Sequence, residues 1–421
     1  MVRFLPVLLT AFSLSAATPH EILDPAFDRV PFDQWIKDRD AKGNTDSFHW
    51  TLNVPRAELS FHQRLQTRIE IKLDGRDLET RRADGRLLFF IQITDHDGGR
   101  YRIHGNVDLS KLDANVRAAN VEYLQRSFFL PGDYGLAVAI VDARTREHSA
   151  RQMQFRVPSD GHGFLAESWR GLPPVEFSGK EDTPDSWFLP EVDGRLEWAA
   201  AVHSPARIDV ILNVAPHRTD SADLAALLPT VKAITQTGSS EISEHVELVD
   251  LSRRRAAFDQ KDVHDLDWPR LKESLGESNT ASIDVHSLAE RHHDAQFFVA
   301  QVRGALRATQ QPCVLVVLTP PVGFESGEDL DPISLEALPA CRVIYVRYHA
   351  PVERVRPVDP MLGGHGRGPR MAAPIYGSGT RSPQIVDQLE GTLKPLNPKV
   401  FDVDSPEQMS KVLVEIEKDV R

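Results

Sequence analysis

Two cysteines in 421 residues are too few for a disulfide framework or a four-ligand zinc ribbon. Nowhere does the chain run apolar for the roughly 18 residues that a helix needs to cross a bilayer. Positive charge is the scarcer sign: 49 lysines and arginines stand against 61 aspartates and glutamates, a formal net charge of −12. Nucleic-acid binding normally shows as a basic excess, so no nucleic-acid partner is expected. Also missing are a Gly-x-Gly-x-x-Gly after a strand, a Walker loop and a Gly-x-Ser-x-Gly elbow, so neither a nucleotide cofactor nor a serine nucleophile is implied. What is present is globular: 41% hydrophobic and 26% charged residues can bury a large core. At about 150 residues per domain the length suggests two or three domains.

Residues 1–17 have the layout of a secretory leader. Arg3 precedes an apolar stretch from Phe4 to Leu14, and Ser15, Ala16 and Ala17 follow with small side chains, as a signal peptidase requires. The expectation is cleavage after Ala17 and a secreted or periplasmic protein, with 18–47 as an N-terminal segment. No cysteine follows the apolar stretch, so no lipid anchor is available there. An oxidising compartment would let Cys313 and Cys341 pair if their strands are neighbours. The alternative is two independent buried thiols behaving as small hydrophobes.

From 48 to 158 the period is two. Thr67 to Leu73, Leu87 to Thr94, Gly99 to Val107 and Tyr134 to Val141 alternate or run apolar over strand lengths, with Gly and Asp turns between them, which reads as an all-β sandwich. Asp95-His96-Asp97-Gly98-Gly99 lacks the later oxygen ligands of a calcium loop and is taken as a hairpin turn. Pro131-Gly132-Asp133-Tyr134 and the strand after it resemble the closing hairpin of immunoglobulin- or fibronectin-like sandwiches. Residues 159–205 carry many prolines and glycines without sustained periodicity and read as a linker. Its Trp169, Phe177, Trp187, Phe188 and Trp198 are too apolar for a free tether.

From 206 to 421 strand and helix alternate. Ile208 to Val214 is an apolar strand, and Leu224, Leu227, Leu228, Val231 and Ile234 then recur at helical spacing, with Pro229 as a cost or a kink. Two short strands, His245 to Leu251 and Arg255 to Phe258, precede a long helix over Ser287 to Arg307. Val314 to Leu318 and Arg342 to Tyr348 are strands of the kind buried on both faces. A last helix opens with Ser405 as cap, Pro406 at its first position and Gln408 in the capping-box position. This pattern predicts an α/β doubly wound, Rossmann-like domain.

The order of these pieces, ending in the phrase KVFDVDSPEQMSKVLVEIEKDV, resembles a von Willebrand factor A-type domain, and the whole chain is similar to bacterial secreted VWFA-related proteins. The resemblance implies a divalent cation at the carboxyl end of the sheet, held by an Asp-x-Ser-x-Ser turn, a later Thr and a Thr-Asp-Gly turn. This sequence departs from that pattern. The first turn reads Asn213-Val214-Ala215-Pro216-His217 and the later one Thr319-Pro320-Pro321; Ala215 and Pro320 offer no side-chain oxygen to a hard cation. With only Asn213 and Thr280 left as donors, the metal site is expected to be degenerate at Asn213, Ala215, His217, Thr280 and Pro320, with no metal and no cofactor.

Two loops at the presumed carboxyl ends of the strands carry opposite charge: one has Glu325 and Asp329, the other Arg354, Arg356, Arg367 and Arg370. Open α/β sheets present binding crevices there, which makes these six the candidate partner-binding residues; the alternative is an excursion whose arginines merely solvate it. His286, Glu290 and His293 share one helix face at a spacing that could ligate zinc, although amphipathic helices place such residues on a solvated face by default. The expectation is therefore an exported, non-catalytic protein-binding or adhesion-type module. A metal-dependent hydrolase and a structural scaffold of the cell envelope are its rivals.

Overall fold

The computed structural model describes the chain outside residues 1–20, 43–47, 83–84, 113–115, 119, 160–166, 179–193, 198–205, 215–221, 236–240, 280–291, 309–311, 320–332, 334–340, 349–386 and 421. The leader therefore lies outside the described residues. The chain divides into two compact units, one of residues 1–57, 67–158 and 173–177, the other of 58–66, 159–172 and 178–421.

The first unit begins with α1 (Phe32–Lys42) and β1 (Trp50–Asn53). Residues 58–66 of the second unit carry β2 (Glu58–Leu59) and the start of β3 (Leu65–Asp74), and the first unit continues with the rest of β3, α2 (Gly75–Thr80), β4 (Arg86–Thr94), β5 (Arg100–Asp108), β6 (Asn120–Phe129), β7 (Gly132–Asp142), β8 (His148–Val157) and β9 (Val175–Phe177). One sheet has the order β1-β3-β6-β9 and the other β5-β4-β7-β8. Side chains join the two: the indole of Trp50 on β1 donates to Ser149 Oγ on β8 at 2.8 Å, and Phe89 on β4 stacks on Tyr123 of β6 with centroids 4.2 Å apart. Leu87-Leu88-Phe89-Phe90-Ile91 is continuously apolar rather than alternating because both of its faces are covered. Phe89 points to the partner sheet, while Phe90 packs with Phe27 and Phe32 in a cluster that α1 shields through Trp35 and Ile36. The 95–99 segment is a turn: Asp95 Oδ1 accepts from the amides of Asp97 at 3.0 Å and Gly99 at 2.7 Å, and Tyr101 donates to its other oxygen at 2.9 Å.

Part of the Pro- and Gly-rich stretch is not a linker. Residues Val175–Phe177 form β9, antiparallel to β6 through Phe129↔Val175 and Ser127↔Phe177. Trp169 is buried.

The second unit contains β10 (Ala206–Asn213), α3 (Ala222–Thr235), β11 (Ile242–Asp250), β12 (Arg255–Lys261), α4 (Trp268–Asn279), α5 (His292–Ala308), β13 (Cys313–Thr319), β14 (Cys341–Tyr348), α6 (Gln388–Leu393), β15 (Lys399–Val403) and α7 (Pro406–Val420). Its sheet has six strands in the order β12-β11-β10-β13-β14-β15. The expectation of a Rossmann-like, doubly wound α/β domain is corrected here. The described chain is mainly β, with fifteen strands in three sheets and few helices, and the six-stranded sheet is mixed, since β12 runs antiparallel to β11. The physical reason is the connection. Asp250 caps a short turn at Leu251–Arg253, and Arg254 follows in the left-handed region at φ 47°; so short a link can only return a strand antiparallel, whereas a parallel return needs a dozen or more residues.

Along the other strands the pairing is parallel, and nearly every residue of β10 and β13 is buried, which accounts for the unbroken Val and Leu run of β13 and for the apolar residues on either side of Asp209 in β10. Phe298, Val299, Val302 and Leu306 of α5 pack on Ile211, Leu315, Val317 and Tyr345. At the start of α7 the capping box is displaced by one residue. Ser405 Oγ accepts from the amide of Gln408 at 3.4 Å, but Gln408 Oε1 takes the amide of Asp404 rather than of Ser405, at 2.5 Å. Helix α3 continues through Pro229.

Candidate functional site

The carboxyl end of the six-stranded sheet is where open sheets place ligands, and the described residues there are paired with one another. Asn213 ends β10 and Thr319 ends β13; both are buried, and the Asn213 amide donates to Thr319 Oγ1 at 3.0 Å. Thr319 thus stands against the first of the expected metal-site positions. Ala215, His217, Thr280 and Pro320 lie outside the described residues, as do Glu325, Asp329, Arg354, Arg356, Arg367, Arg370, His286 and Glu290. His293 is in α5, but its side chain is not among those described.

A second group at the same end was not singled out in the sequence. Arg347, near the end of β14, donates to Glu390 at 2.8 Å and to Asp402 of β15 at 2.7 Å, with Asp387 3.9 Å away. Asp387 accepts from the Tyr345 hydroxyl at 2.9 Å and caps α6 through the amides of Leu389 and Glu390. Burial works against the Arg347 charge, but the carboxylates of Asp402, Glu390 and Asp387 outweigh it and hold the guanidinium above its ordinary value. Burial also raises Asp387. Burial and the neighbouring Asp387 raise Tyr345 as well.

Nearer the amino ends of the strands lies a third group, built by register. Asp209 of β10 sits opposite His245 of β11, and Glu247 of β11 opposite Asp259 of β12. The His245 ring stands between two carboxylates, with Nδ1 2.8 Å from Asp209 and Nε2 2.9 Å from Asp259. Arg207 donates twice to the same Asp209 oxygen, at 3.0 and 2.8 Å. Burial opposes the imidazolium, but the bonds to Asp209 and Asp259 prevail and its pKa is raised. Burial raises Glu247, with His245 opposing and Asp259 and Asp209 adding to the rise. When protonated, the ring donates from both nitrogens to carboxylates, and the imidazolium then has no lone pair with which to take a proton or bind a metal. Chemically the group is a charged clamp across three strands. A signal for it existed in Glu244, His245 and Glu247, three ionisable residues inside a strand otherwise buried on both faces.

At the amino ends of β13 and β14, Cys313 and Cys341 are register partners and form a disulfide with Cα atoms 4.5 Å apart. Among the described residues no cluster of three or more His, Cys, Asp or Glu side chains is placed to hold a metal ion, and no helix is long and apolar enough to cross a membrane.

No family model matches the chain, and no curated protein sequence matches it. Among solved structures, one described as the X-ray structure of the Northeast Structural Genomics Consortium target SoR45 is similar at 15% identity over 28% of this chain and 92% of its own, with a TM-score of 0.17. A likeness of that size carries no argument about fold or activity.

Proposed function

We propose that this chain is an exported module that acts by binding a protein partner rather than by catalysis. The observation that carries the reading is the Cys313–Cys341 disulfide, because such bonds persist in oxidising compartments and are rare in the cytosol. It joins with the leader-like residues 1–17, the resemblance of the closing strand and helix to those of secreted VWFA-related proteins and the oppositely charged segments carrying Glu325, Asp329, Arg354, Arg356, Arg367 and Arg370. In this reading the arginine loop meets an acidic surface of the partner, and the lost donors at Ala215 and Pro320 make the contact independent of metal.

The test is crosslinking of the full chain in its native envelope, followed by mass spectrometry of what is recovered. One exported protein should be enriched with the wild type and lost with the triple variant Arg354→Ala, Arg356→Ala, Arg370→Ala. Equal recovery with both would overturn the reading. Stoichiometric zinc in the purified protein would favour a metal-dependent hydrolase built on His286, Glu290 and His293 instead.

A further inference from the structure

Strand β12 lies at the edge of the six-stranded sheet, next to β11. Of its seven residues only Phe258 is buried, and its ladder to β11 carries a register shift between Leu248 and Val249. Just beyond its end Asp262 adopts φ 51°. Few buried contacts and an interrupted ladder make such a strand end the place where a sheet opens first. His245 fastens it by reaching both ways across the sheet: its Nε2 stands 2.9 Å from Asp259 of β12 and its Nδ1 2.8 Å from Asp209 of β10.

The two carboxylates differ in what water can do for them. The Asp209 side chain is 1% exposed and that of Asp259 50%, and Asp209 also accepts from Arg207. Arg207 Nη2 lies 3.4 Å from His245 Nδ1 but only 2.8 Å from Asp209. The other charged groups facing the ring are Glu247 on β11, whose register partner is Asp259, and Lys261 on β12, which stands opposite His245 and is exposed. Helix α5, packed on Ile211 and Val249 of the same face, carries Arg303 and Arg307 in its last turns. A neutral imidazole keeps a single N–H. Asp209, shut off from water, cannot replace the bond it would lose, whereas Asp259 can. The remaining proton therefore stays on Nδ1, and the bare lone pair falls at Nε2, facing the Asp259 carboxylate.

We propose that His245 is a pH-operated latch on the edge strand: as the imidazolium it ties β12 through Asp259 to β10, and on losing its proton it keeps Asp209 and releases Asp259, with the end of β12, to solvent. Burial opposes the charged ring, but the bonds to Asp209 and Asp259 hold its pKa above the ordinary value of about 6.5. The latch is thus closed below that value and opens as pH rises through the folded one. Glu247 works in the same direction, because where it and Asp259 are both ionised the imidazolium offsets their repulsion across the strands. The Val263 amide donates to the Glu244 carbonyl at 2.9 Å, which bounds the released segment to residues 259–262.

The experiment is hydrogen exchange of the full chain from about pH 5 to about pH 9, resolved by peptide and corrected for the intrinsic rise in rate with pH. Losing one charge-assisted bond should speed exchange of residues 259–262 about tenfold across the titration of the ring, through an opening that β10 and β13 do not share. Asp259→Asn substitutes a half-exposed side chain and leaves the buried Asp209 and Arg207 in place. Its amide can accept from the charged ring or donate to the neutral one, so the pH dependence of residues 259–262 should vanish. As an independent readout, nitrogen NMR of the ring should show the neutral form protonated on Nδ1, and Asp259→Asn should move the titration to lower pH. Exchange of residues 259–262 only together with β10 and β13 at every pH would overturn the proposal. So would a pH dependence that survives in Asp259→Asn, or a neutral ring that carries its proton on Nε2.

Discussion

The two units arrange their polar groups differently. In the first, carboxylates mostly serve turns near the surface: Asp24, Asp74, Asp95 and Asp108 each accept from an amide two residues on. Its interior is mainly aromatic and aliphatic, as in the Phe89–Tyr123 stack and the Phe27, Phe32 and Phe90 cluster, and it also buries Asp142 of β7 beside Arg81 and Glu70 of β3 beside Arg68. In the second, ionisable groups sit in the sheet itself, with Asp209 and Asp250 almost completely buried and His245 and Glu247 nearly so. Burying charges costs several kcal/mol per ion unless they are paired and hydrogen-bonded. The first unit thus sets Asp142 and Glu70 each beside an arginine, while the second links Arg207, Asp209, His245 and Asp259 into one chain of contacts across three strands.

The contrast can be broken most strongly at the disulfide. Cys313 and Cys341 are 28 residues apart in sequence, and opening a loop of that size costs about 3.5 kcal/mol in the chain-entropy account. Cys313→Ser with Cys341→Ser, or a reducing agent, should therefore lower the stability of the second unit by about that amount and leave the first unchanged, as read by hydrogen exchange resolved by peptide. The complementary break is Gly105→Ala in β5. A Cβ there would lie 2.0 Å from the Tyr123 hydroxyl oxygen and 2.7 Å from its Cζ. Tyr123 cannot move aside without losing its stack on Phe89, so an overpacking cost of about 2–3 kcal/mol falls on the first unit alone. Tyr123→Leu in the same chain should recover part of it.

pH separates the units next. His245 has a raised folded pKa, so the stability it contributes is fully present below its unfolded value of about 6.5 and is lost as pH rises through the folded value. The second unit should weaken as pH rises above about 6.5, and His245→Gln should flatten that slope. His62, held down to about 3, works in the other direction. Stability falls as pH drops below about 6.5, because the unfolded chain takes up a proton that the folded one refuses, and His62→Gln should remove that loss. In the first unit, burial opposes but the bonds from His104 and the Ala26 amide lower Asp24. Its contribution is present above the ordinary carboxylate value and disappears only as acid titrates through the lowered one. Chemical denaturation at stepped pH, followed in each unit, checks all three signs.

How much of this was legible in the sequence depends on whether the information was local. The strand Leu87 to Thr94 announced itself by its apolar run, and the cap of the last helix by Ser405 and Pro406, because both signals lie within a few residues. The three-residue strand Val175–Phe177 was hidden in a Pro- and Gly-rich stretch, since pairing to β6 decides it and propensity does not. The doubly wound expectation failed at a similar point: strand–helix alternation was visible, but the direction of β12 hangs on the turn Asp250 to Arg254. For the cysteines, apolar flanks were consistent with either a bond or two thiols, and only the register Cys313↔Cys341 separates them. His62, Arg64, Arg195 and Lys232 meet around one small cleft with no spacing signal at all, being brought there from distant segments.

The smallest expected effect lies at the carboxyl end of the sheet, and it sharpens what Asn213 is for. Its amide donates to Thr319 Oγ1 across adjacent parallel strands, and both residues are buried. If Asn213 and Thr319 now serve the sheet, Thr319→Val should cost about 1 kcal/mol, the net worth of one neutral hydrogen bond. Asn213→Ala added to it should cost less than the sum of the two single changes, because residues sharing a bond are coupled. A double-mutant cycle by urea denaturation measures that coupling directly. Strict additivity would mean that the 3.0 Å contact contributes nothing to the fold.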